Sequence, residues 1–218
     1  MGLVYHKKLG EDTEFALWRI EETADELLGK LQLKAHEESY LNGIQNGKRH
    51  LHWLSTRVLL RQLLNTTEYI DCQVDEHGKP YLTNFPHHIS LSHSFDYAAV
   101  MISRTKAVGI DIEMVKTKIE RIAAKFLSEQ ELAFIEPQKA IKHLYSCWCV
   151  KEALYKLQGK TNVSFKDDIH IAPFNFTEEE GSTSVHLNAG INKDYQVNYF
   201  QFENYMIGYV ATEEDHEK

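Results

Sequence analysis

The chain has 218 residues, of which 43% are hydrophobic and 11% aromatic, a composition typical of globular proteins and unlike that of disordered chains. Its formal net charge of -8 argues against general nucleic-acid binding, which relies on clustered positive charge. No run approaches the roughly 20 apolar residues of a membrane span, and residues 1–8 lack the apolar core of a secretory signal. We therefore expect a cytoplasmic protein with no nucleic-acid or membrane partner.

The first half of the chain combines strand and helix patterns. Alternating apolar and polar residues predict strands, and apolar residues repeating every three or four positions predict a buried amphipathic helix. Arg57 and Arg61 lie one turn apart on that helix. The predicted elements are a strand over 13–20, a helix that opens at a capping box of Thr23 and Glu26, a helix over 48–64, a turn at 77–80, and strands over 89–94 and 97–102.

The second half begins, after a turn at 104–106, with a strand that carries acidic residues. Ser128 and Glu131 form a second capping box, and Gly159 is a natural helix terminator. The last third reads as short strands, the final two joined as a hairpin. The predicted elements are strands over 108–113, 163–165, 169–171, 185–187, 195–202 and 205–211, helices over 119–126, from 129 and over 141–158, and a charged, frayed tail over 213–218.

Three cysteines, Cys72, Cys147 and Cys149, give an odd number. The last two are separated by one residue within a predicted helix, so their side chains point in different directions. We therefore expect neither a disulfide framework nor a zinc site.

The acidic strand offers candidate metal ligands. Val108, Ile110 and Ile112 alternate with Gly109, Asp111 and Glu113, so the two carboxylates share the face opposite the apolar one. Carboxylates at this spacing repel each other, and a hard divalent ion with oxygen ligands would relieve the repulsion. A solvent-exposed acidic strand face is the alternative. The helix over 141–158 favours the metal, because it adds Glu152 with Lys156 one turn further on the same face.

Five motifs in order resemble the 4'-phosphopantetheinyl transferases, in particular the longer, monomeric kind typified by the surfactin-synthetase activator. Arg57 adds a point of similarity upstream of them. The motifs are Gly78-Lys79-Pro80, Ser90-Leu91-Ser92-His93-Ser94, Gly109-Ile110-Asp111-Ile112-Glu113, Lys125-Phe126-Leu127-Ser128-Glu129-Gln130-Glu131, and Trp148-Cys149-Val150-Lys151-Glu152-Ala153-Leu154-Tyr155-Lys156.

This resemblance implies an α+β fold of two similar subdomains, 1–105 and 106–218, related by a pseudo-twofold axis, with the active site in the cleft between them and the metal site on the second. It implies a monomer that moves the phosphopantetheine arm of coenzyme A onto a serine of an acyl or peptidyl carrier protein, releasing adenosine 3',5'-bisphosphate. Carrier proteins of fatty-acid, polyketide and nonribosomal-peptide synthesis are all compatible with the motifs.

The resemblance also assigns roles to individual residues. Asp111, Glu113 and Glu152 match magnesium ligands, and Lys156 matches a lysine near the pyrophosphate. Glu131 matches a further acidic position near the metal, although the capping box gives it a purely structural alternative. The positions that match coenzyme A contacts, with the 3'-phosphate as the target of the cations, are Arg57, Lys79, Pro80, Ser92 and His93.

Some alternatives remain open at the level of sequence. The base that deprotonates the carrier serine is either Glu152 or a water held by Glu113. A non-catalytic module that binds a carrier protein or nucleotide is a competing function, and a metal-dependent nucleotide phosphohydrolase is another. The three carboxylates favour an enzyme over a pure binder. Ser92 and His93 are not expected to act as a nucleophilic pair, because neighbours in a strand point to opposite faces.

Overall fold

The computed structural model describes residues 2–44, 47–160, 162–190 and 192–213. The chain divides into two compact units, Met1–Lys106 and Ala107–Lys218, where the sequence prediction divided it after residue 105. Within the described ranges, no helix is both long and apolar enough to cross a membrane. The predicted frayed tail lies outside the described residues from 214 onwards.

The first unit is an antiparallel sheet covered by a long helix. Its sheet has the order β1-β2-β6-β5, and β3 pairs with β4 as a separate hairpin. The elements are β1 Leu3–Lys8, β2 Thr13–Arg19, α1 Ala24–Leu28, α2 Ala35–Gly43, α3 Lys48–Leu63, β3 Cys72–Val74, β4 Pro80–Leu82, β5 His88–Ser94 and β6 Tyr97–Ser103.

Burial of apolar residues explains this arrangement. Every residue of β6 is buried, and this strand packs against α3. Leu54, Leu59 and Leu60 of α3 are fully buried in the same core cluster as Val100. The predicted capping box that opens α1 is present, with Glu26 bonded to the backbone N–H of Thr23.

The second unit is a five-stranded sheet packed on one long helix, with the sheet order β7-β11-β10-β9-β8. The helix ends, as predicted, at Gly159, whose φ of 68° is the left-handed conformation that glycine adopts readily. The elements are β7 Lys106–Met114, a 3-10 helix Thr117–Arg121, α4 Ala123–Phe126, α5 Glu129–Ala133, a 3-10 helix Pro137–Lys139, α6 Ala140–Gln158, β8 Ile169–Ile171, β9 Gly181–Asn188, β10 Asn192–Phe202 and β11 Tyr205–Glu213.

The two units share a topology. In each, a strand precedes the long helix in sequence, a hairpin follows the helix, and the first strand pairs with the last strand of the hairpin. These strands and helices are β2, α3, β5 and β6 in the first unit and β7, α6, β10 and β11 in the second. The predicted α+β class is confirmed.

Two secondary-structure predictions were wrong. Residues 163–165 form no strand, because the Ser164 backbone N–H and hydroxyl bond to the carboxylates of Asp168 and Asp167 and close a turn instead. The helix predicted over 119–126 is split into the 3-10 helix Thr117–Arg121 and α4. The strands β1 and β3 and the helix α2 were not predicted, because they are short or carry few buried residues.

His143 of α6 is fully buried among aromatic rings in the second unit. Its ring centroid lies 4.6 Å from that of Phe174 and 5.6 Å from that of Phe134. Nδ1 accepts a hydrogen bond from the Glu136 backbone N–H at 3.2 Å, so the neutral ring carries its proton on Nε2. Burial lowers the pKa of His143, and the nearby Glu136 carboxylate opposes this only in part.

This environment makes folding stability depend on pH. As pH falls below the ordinary histidine pKa of about 6.5, the unfolded chain binds a proton at this position that the folded chain does not, so stability is lost by up to about 1.4 kcal/mol per pH unit. We expect His143→Phe to reduce this slope in urea unfolding between pH 7 and 5. His170→Phe, at an exposed position of β8, is the control and should retain the wild-type slope; an unchanged slope in His143→Phe would contradict the interpretation.

Candidate functional site

The acidic strand β7 places one carboxylate in a buried position against the long helix. Ile110 and Ile112 are fully buried, as the alternation predicts, but Asp111 is also only 4% exposed. The alternative interpretation, a solvent-exposed acidic strand face, therefore does not hold for Asp111. The Lys156 ammonium group lies 2.7 Å from Asp111 Oδ1. The structure therefore brings two of the predicted site residues into direct contact.

Glycine on β7 permits this contact. A Cβ atom added at Gly109 would lie 2.0 Å from the backbone oxygen of Ala153 on α6. On β11, a Cβ at Gly208 would lie 2.4 Å from the backbone oxygen of Cys149. Both strands thus allow the helix backbone to approach where any side chain would block it. Because Gly109 and Asp111 share a strand face, this approach brings the helix against the carboxylate.

Glu152 lies on the same helix face as Lys156, one turn earlier, and is half-buried. The pKa of Glu152 is raised to about 7, first by burial, then by the negative charge of Asp111; Lys156 opposes the rise and Glu113 adds to it. The four side chains therefore form one electrostatically coupled group with more negative than positive charge.

This group suits a magnesium ion, although it is not a complete protein cage. In the described part of the chain, no set of three histidine, cysteine or carboxylate side chains is gathered closely enough to enclose a metal. Mg²⁺ commonly takes only one or two protein carboxylates and completes its coordination with water and substrate phosphates. The donor set is all oxygen. Burial is the main cause of the raised pKa of Glu152, and the negative charge of Asp111 adds to it; a cation would relieve the repulsion between these carboxylates.

Glu131 has the contacts of a structural residue. It is 3% exposed, and its carboxylate accepts hydrogen bonds from the backbone N–H groups of Ser128 and Ile171, both at 2.8 Å. The ammonium group of Lys151 lies 2.8 Å from Glu131 Oε1. The capping box is therefore present, and each of these contacts is to the protein's own framework; the catalytic role of Glu131 stays a prediction.

Lys151 completes this framework. Its side chain is fully buried, and besides Glu131 its ammonium group donates to the backbone oxygens of Phe126, Phe165 and Ile169 at 2.7–2.9 Å. These bonds join α4, the turn after α6 and β8 to the helix. Lys151 and Glu152, adjacent in sequence, therefore serve different environments on α6.

In the first unit, three of the predicted coenzyme A contacts line a single cavity of about 790 Å³. They are Arg57, Pro80 and His93. Arg57 stacks over the ring of Trp53 at 4.2 Å and donates to Thr56 Oγ1 at 3.2 Å. Its Nε is buried and has no hydrogen-bond partner among the described residues, and burial lowers the pKa of the guanidinium. A buried donor of this kind favours an anionic ligand.

Lys79 and Ser92, the other two predicted coenzyme A contacts, are not among the residues that line this cavity, although their neighbours in the sequence are. Ser92 is 6% exposed, whereas its neighbour His93 is exposed; the burial pattern thus agrees with the expectation that they point to opposite faces. The His93 ring stacks on that of His52 at 4.2 Å. The Lys79 backbone N–H donates to Asp75 Oδ1 at 2.9 Å. This bond lies in a turn that contains Gly78, whose φ is 85°.

Sequence reasoning missed several wall residues of the cavity. Trp53 and Arg57 are spaced one turn apart on α3, so this pairing could have been found from the sequence. Glu37 and Tyr40 belong to α2, a helix that was not predicted. Gly109 was noted within its motif, but its close contact with α6 was not foreseen.

Comparison with known proteins finds similarity that covers the second unit. Residues 107–210 match the family model described as the 4'-phosphopantetheinyl transferase superfamily. A 4'-phosphopantetheinyl transferase of Bacillus subtilis is 32% identical over 111 residues, covering 45% of this chain and 49% of that protein. The 4'-phosphopantetheinyl transferase gsp of Aneurinibacillus migulanus is 32% identical over 49% of this chain and 46% of its own.

Further similarities are of the same kind. The 4'-phosphopantetheinyl transferase AcpT of Salmonella typhi is 32% identical over 52% of this chain and 61% of its own. The crystal structure of the holo-[acyl-carrier-protein] synthase of Thermotoga maritima aligns with 50% of this chain and 64% of its own, at 22% identity and a TM-score of 0.39.

The resemblance to 4'-phosphopantetheinyl transferases is confirmed over residues 107–210, which match the model of that superfamily. The chain spans about half the length of the first curated relatives that it matches. The matched stretch contains Asp111, Glu113, Glu131, Glu152 and Lys156, whereas Arg57, Lys79, Pro80, Ser92 and His93 lie outside it.

The close approach at Gly109 predicts a sharp effect of one methyl group. Gly109→Ala should destabilise the chain by about 1–3 kcal/mol or more, because backbone must move to admit the Cβ atom, and it should separate Asp111 from Lys156. Urea unfolding measures the first effect. Gly43→Ala is the control, since a Cβ there meets nothing within 4 Å; if the two variants were equally stable, the packing argument would be wrong.

The contacts of Lys151 predict a structural role that is separate from catalysis. Lys151→Met leaves the Glu131 carboxylate buried without its cation, and the loss of one partner of a buried pair costs about 3–5 kcal/mol. Lys142, on the same helix as Lys151, forms an ion pair with Glu178 at the protein surface. Lys142→Met should change stability by less than about 1 kcal/mol. Unfolding free energies of the two variants compare the effects directly; a similar small change in both would refute the role of Lys151.

Proposed function

We propose that the chain transfers the 4'-phosphopantetheine group of coenzyme A to a serine hydroxyl of an acyl or peptidyl carrier protein. The products are the modified carrier and adenosine 3',5'-bisphosphate, and the reaction depends on Mg²⁺. The observation that supports this most directly is the contact of Lys156 with Asp111, beside Glu152, in the segment that matches the transferase family. The similar proteins of Bacillus subtilis, Aneurinibacillus migulanus and Salmonella typhi are 4'-phosphopantetheinyl transferases, which supports this activity.

Asp111, Glu113 and Glu152 would hold the magnesium ion. When bound, the ion supplies charge neutralisation for the diphosphate of coenzyme A. The protein's own part is to bring Glu152 and Lys156 of α6 towards Asp111 of β7, and the close packing of the helix at Gly109 supports this role.

Lys156 stabilises the negative charge that develops on phosphate oxygens during transfer. Phosphoryl transfer asks mainly for alignment and electrostatic stabilisation. The bond to Asp111 at 2.7 Å fixes the lysine ammonium group within the carboxylate cluster, so little reorganisation is needed when substrate binds.

The proton of the carrier serine passes either to Glu152 or to a water held by Glu113. A general base works best when its pKa lies near the operating pH. Without a bound cation, burial and the charge of Asp111 raise the pKa of Glu152 to about 7. A cation bound to this carboxylate would lower its pKa again, so both bases remain predictions.

The cavity of the first unit takes a phosphate-bearing part of coenzyme A. Its volume of about 790 Å³ falls within the roughly 300–1,000 Å³ of small-molecule sites. Arg57 lines this cavity, and its buried Nε–H has no hydrogen-bond partner among the described residues; the 3'-phosphate is the natural acceptor. His93 and Pro80 line the same cavity, and Lys79 and Ser92 are assigned as further contacts through the family resemblance.

A mass measurement distinguishes this function from its competitors. The protein is mixed with coenzyme A, Mg²⁺ and an apo carrier protein, and the carrier is weighed by mass spectrometry. A gain of one phosphopantetheine on the carrier serine is expected. Release of free 4'-phosphopantetheine without modification of the carrier would indicate a phosphohydrolase, and binding without any turnover would indicate a non-catalytic module; either outcome refutes the proposal.

Asp111→Asn tests the metal assignment in the same assay. The substitution keeps the size and one hydrogen-bond acceptor for Lys156 but removes the charge, so we expect a loss in transfer rate of at least about 100-fold. Asp194→Asn, at an exposed position paired with His186 on the same unit, should keep the wild-type rate. Thermal melting verifies that both variants are folded. A wild-type rate for Asp111→Asn in a folded protein would overturn the assignment.

A further inference from the structure

The cavity of the first unit contains a buried carboxylate that the proposed reaction does not use. Glu37 lies near the start of α2 and lines the same cavity as Arg57, yet it is only 6% exposed. Carboxylates are rarely buried unless they are paired or hydrogen-bonded. The stretch that matches the transferase family begins at residue 107, so that match says nothing about this wall of the cavity.

The carboxylate of Glu37 is held in place by two donors. The Tyr69 hydroxyl donates to Oε2 at 2.9 Å, and the Lys34 backbone N–H donates to the same oxygen at 3.0 Å. The pKa of Tyr69 is raised, first by burial and then by its bond to Glu37, so the tyrosine keeps its proton and remains a donor. Oε1 receives no hydrogen bond from any residue that the structure describes, and it is the acceptor left for a ligand.

Glu37 and Arg57 face one cavity without neutralising each other. In the described ranges no ion pair joins them, although the carboxylate is near enough to favour the charged form of the guanidinium. Arg57 is held instead by the Trp53 ring and by Thr56. The cavity therefore presents a cation at one place and a hydrogen-bond acceptor at another. A ligand that carries both an anionic group and an N–H or O–H donor complements this arrangement.

Aromatic side chains indicate the shape of that ligand. Tyr40 follows Glu37 by one turn of α2 and lines the same cavity, so the two side chains lie on the same helix face. The ring centroids of Tyr40 and Trp53 are 6.0 Å apart. A flat heterocycle that lies against such rings presents its edge, where its hydrogen-bonding groups are, to the neighbouring side chain.

We propose that Glu37 selects the base of coenzyme A by accepting a hydrogen bond from the 6-amino group of adenine, while Arg57 binds the phosphate. This inference rests on the proposed function, because it takes coenzyme A as the occupant of the cavity. A hydrogen bond to a charged acceptor contributes about 1.5–3 kcal/mol, which corresponds to a discrimination of roughly tenfold to 100-fold against a purine that lacks the amino group.

Isothermal titration calorimetry with three nucleotides tests the assignment. The ligands are adenosine 3',5'-bisphosphate, the corresponding bisphosphate of purine riboside, which lacks only the 6-amino group, and that of 2'-deoxyadenosine, which lacks only the ribose hydroxyl. The wild-type chain should bind the purine riboside ligand at least about tenfold more weakly than the adenosine ligand. The deoxyadenosine ligand should bind within about threefold of the adenosine ligand, since in this account no charged acceptor reads the 2'-hydroxyl.

Glu37→Gln should reduce the discrimination to about threefold, because a neutral acceptor forms a bond of about half the strength. Glutamine also keeps the acceptor that caps α2, so the fold is retained. The ratio of affinities is the informative quantity, since removal of a negative charge near a bisphosphate strengthens the binding of every ligand. Glu38→Gln makes the same charge change at the next, exposed position and should keep the wild-type ratio. Tyr69→Phe provides a second variant and should lower the ratio by freeing the carboxylate to move.

The outcomes separate this inference from the proposed function. If the wild-type chain bound the adenosine and purine riboside ligands equally, or if Glu37→Gln kept the full discrimination, the role of Glu37 would be wrong while transfer to the carrier could still stand. If the wild-type chain bound only the deoxyadenosine ligand more weakly than the adenosine ligand, Glu37 would be assigned to the ribose and the base assignment would be overturned. Absence of binding by adenosine 3',5'-bisphosphate would remove both proposals, and failure of the carrier to gain mass would independently remove the proposed function.

Discussion

The close approach of α6 to β7 is the constraint on which the second unit depends. A strand and a helix that each carry large side chains would be held apart, but at Gly109 the backbone oxygen of Ala153 occupies the position of the absent side chain. This contact places Lys156 on Asp111 and puts Glu152 within the field of the same carboxylate. The excess of negative charge follows from this packing and suits a site that binds a cation and a diphosphate.

The same helix also supplies the framework that holds the site rigid. Lys151 points into the protein and joins Glu131 with three backbone oxygens, whereas Glu152 and Lys156 serve the carboxylate cluster on β7. A buried ion pair contributes to stability only when its hydrogen bonds are satisfied, and here both partners are bonded several times. Functional side chains supported on a rigid helix keep their positions better than side chains on loops.

Much of the local structure could be predicted from the sequence, because it depends on residues near one another along the chain. The capping boxes at Thr23 and Ser128 form, Gly159 ends α6, and the apolar residues predicted to be buried on β7 are buried. The strand predicted at 163–165 failed because side-chain bonds to Asp167 and Asp168 close a turn there. β-propensity alone does not reveal such competition.

The candidate sites depend on contacts between distant segments, which the sequence reveals only where a family resemblance covers both partners. Tyr69 reaches back to Glu37, and Lys156 reaches back to Asp111; only the fold brings these side chains together. The resemblance of the motifs supplied the second of these pairs, since both residues lie in the stretch that matches the transferase family. It could not supply the first, because the cavity wall formed by α2 lies outside that stretch.

The central claim is that the carboxylates on β7 and α6 bind one divalent ion. Titration of Mn²⁺ into the chain, followed by electron paramagnetic resonance and competed with Mg²⁺, tests it without reference to activity. The account predicts one displaceable ion per chain and an affinity at least about tenfold weaker in Glu152→Gln, because a ligand or its immediate partner is lost. Equal occupancy in the wild-type chain and in Glu152→Gln would contradict it.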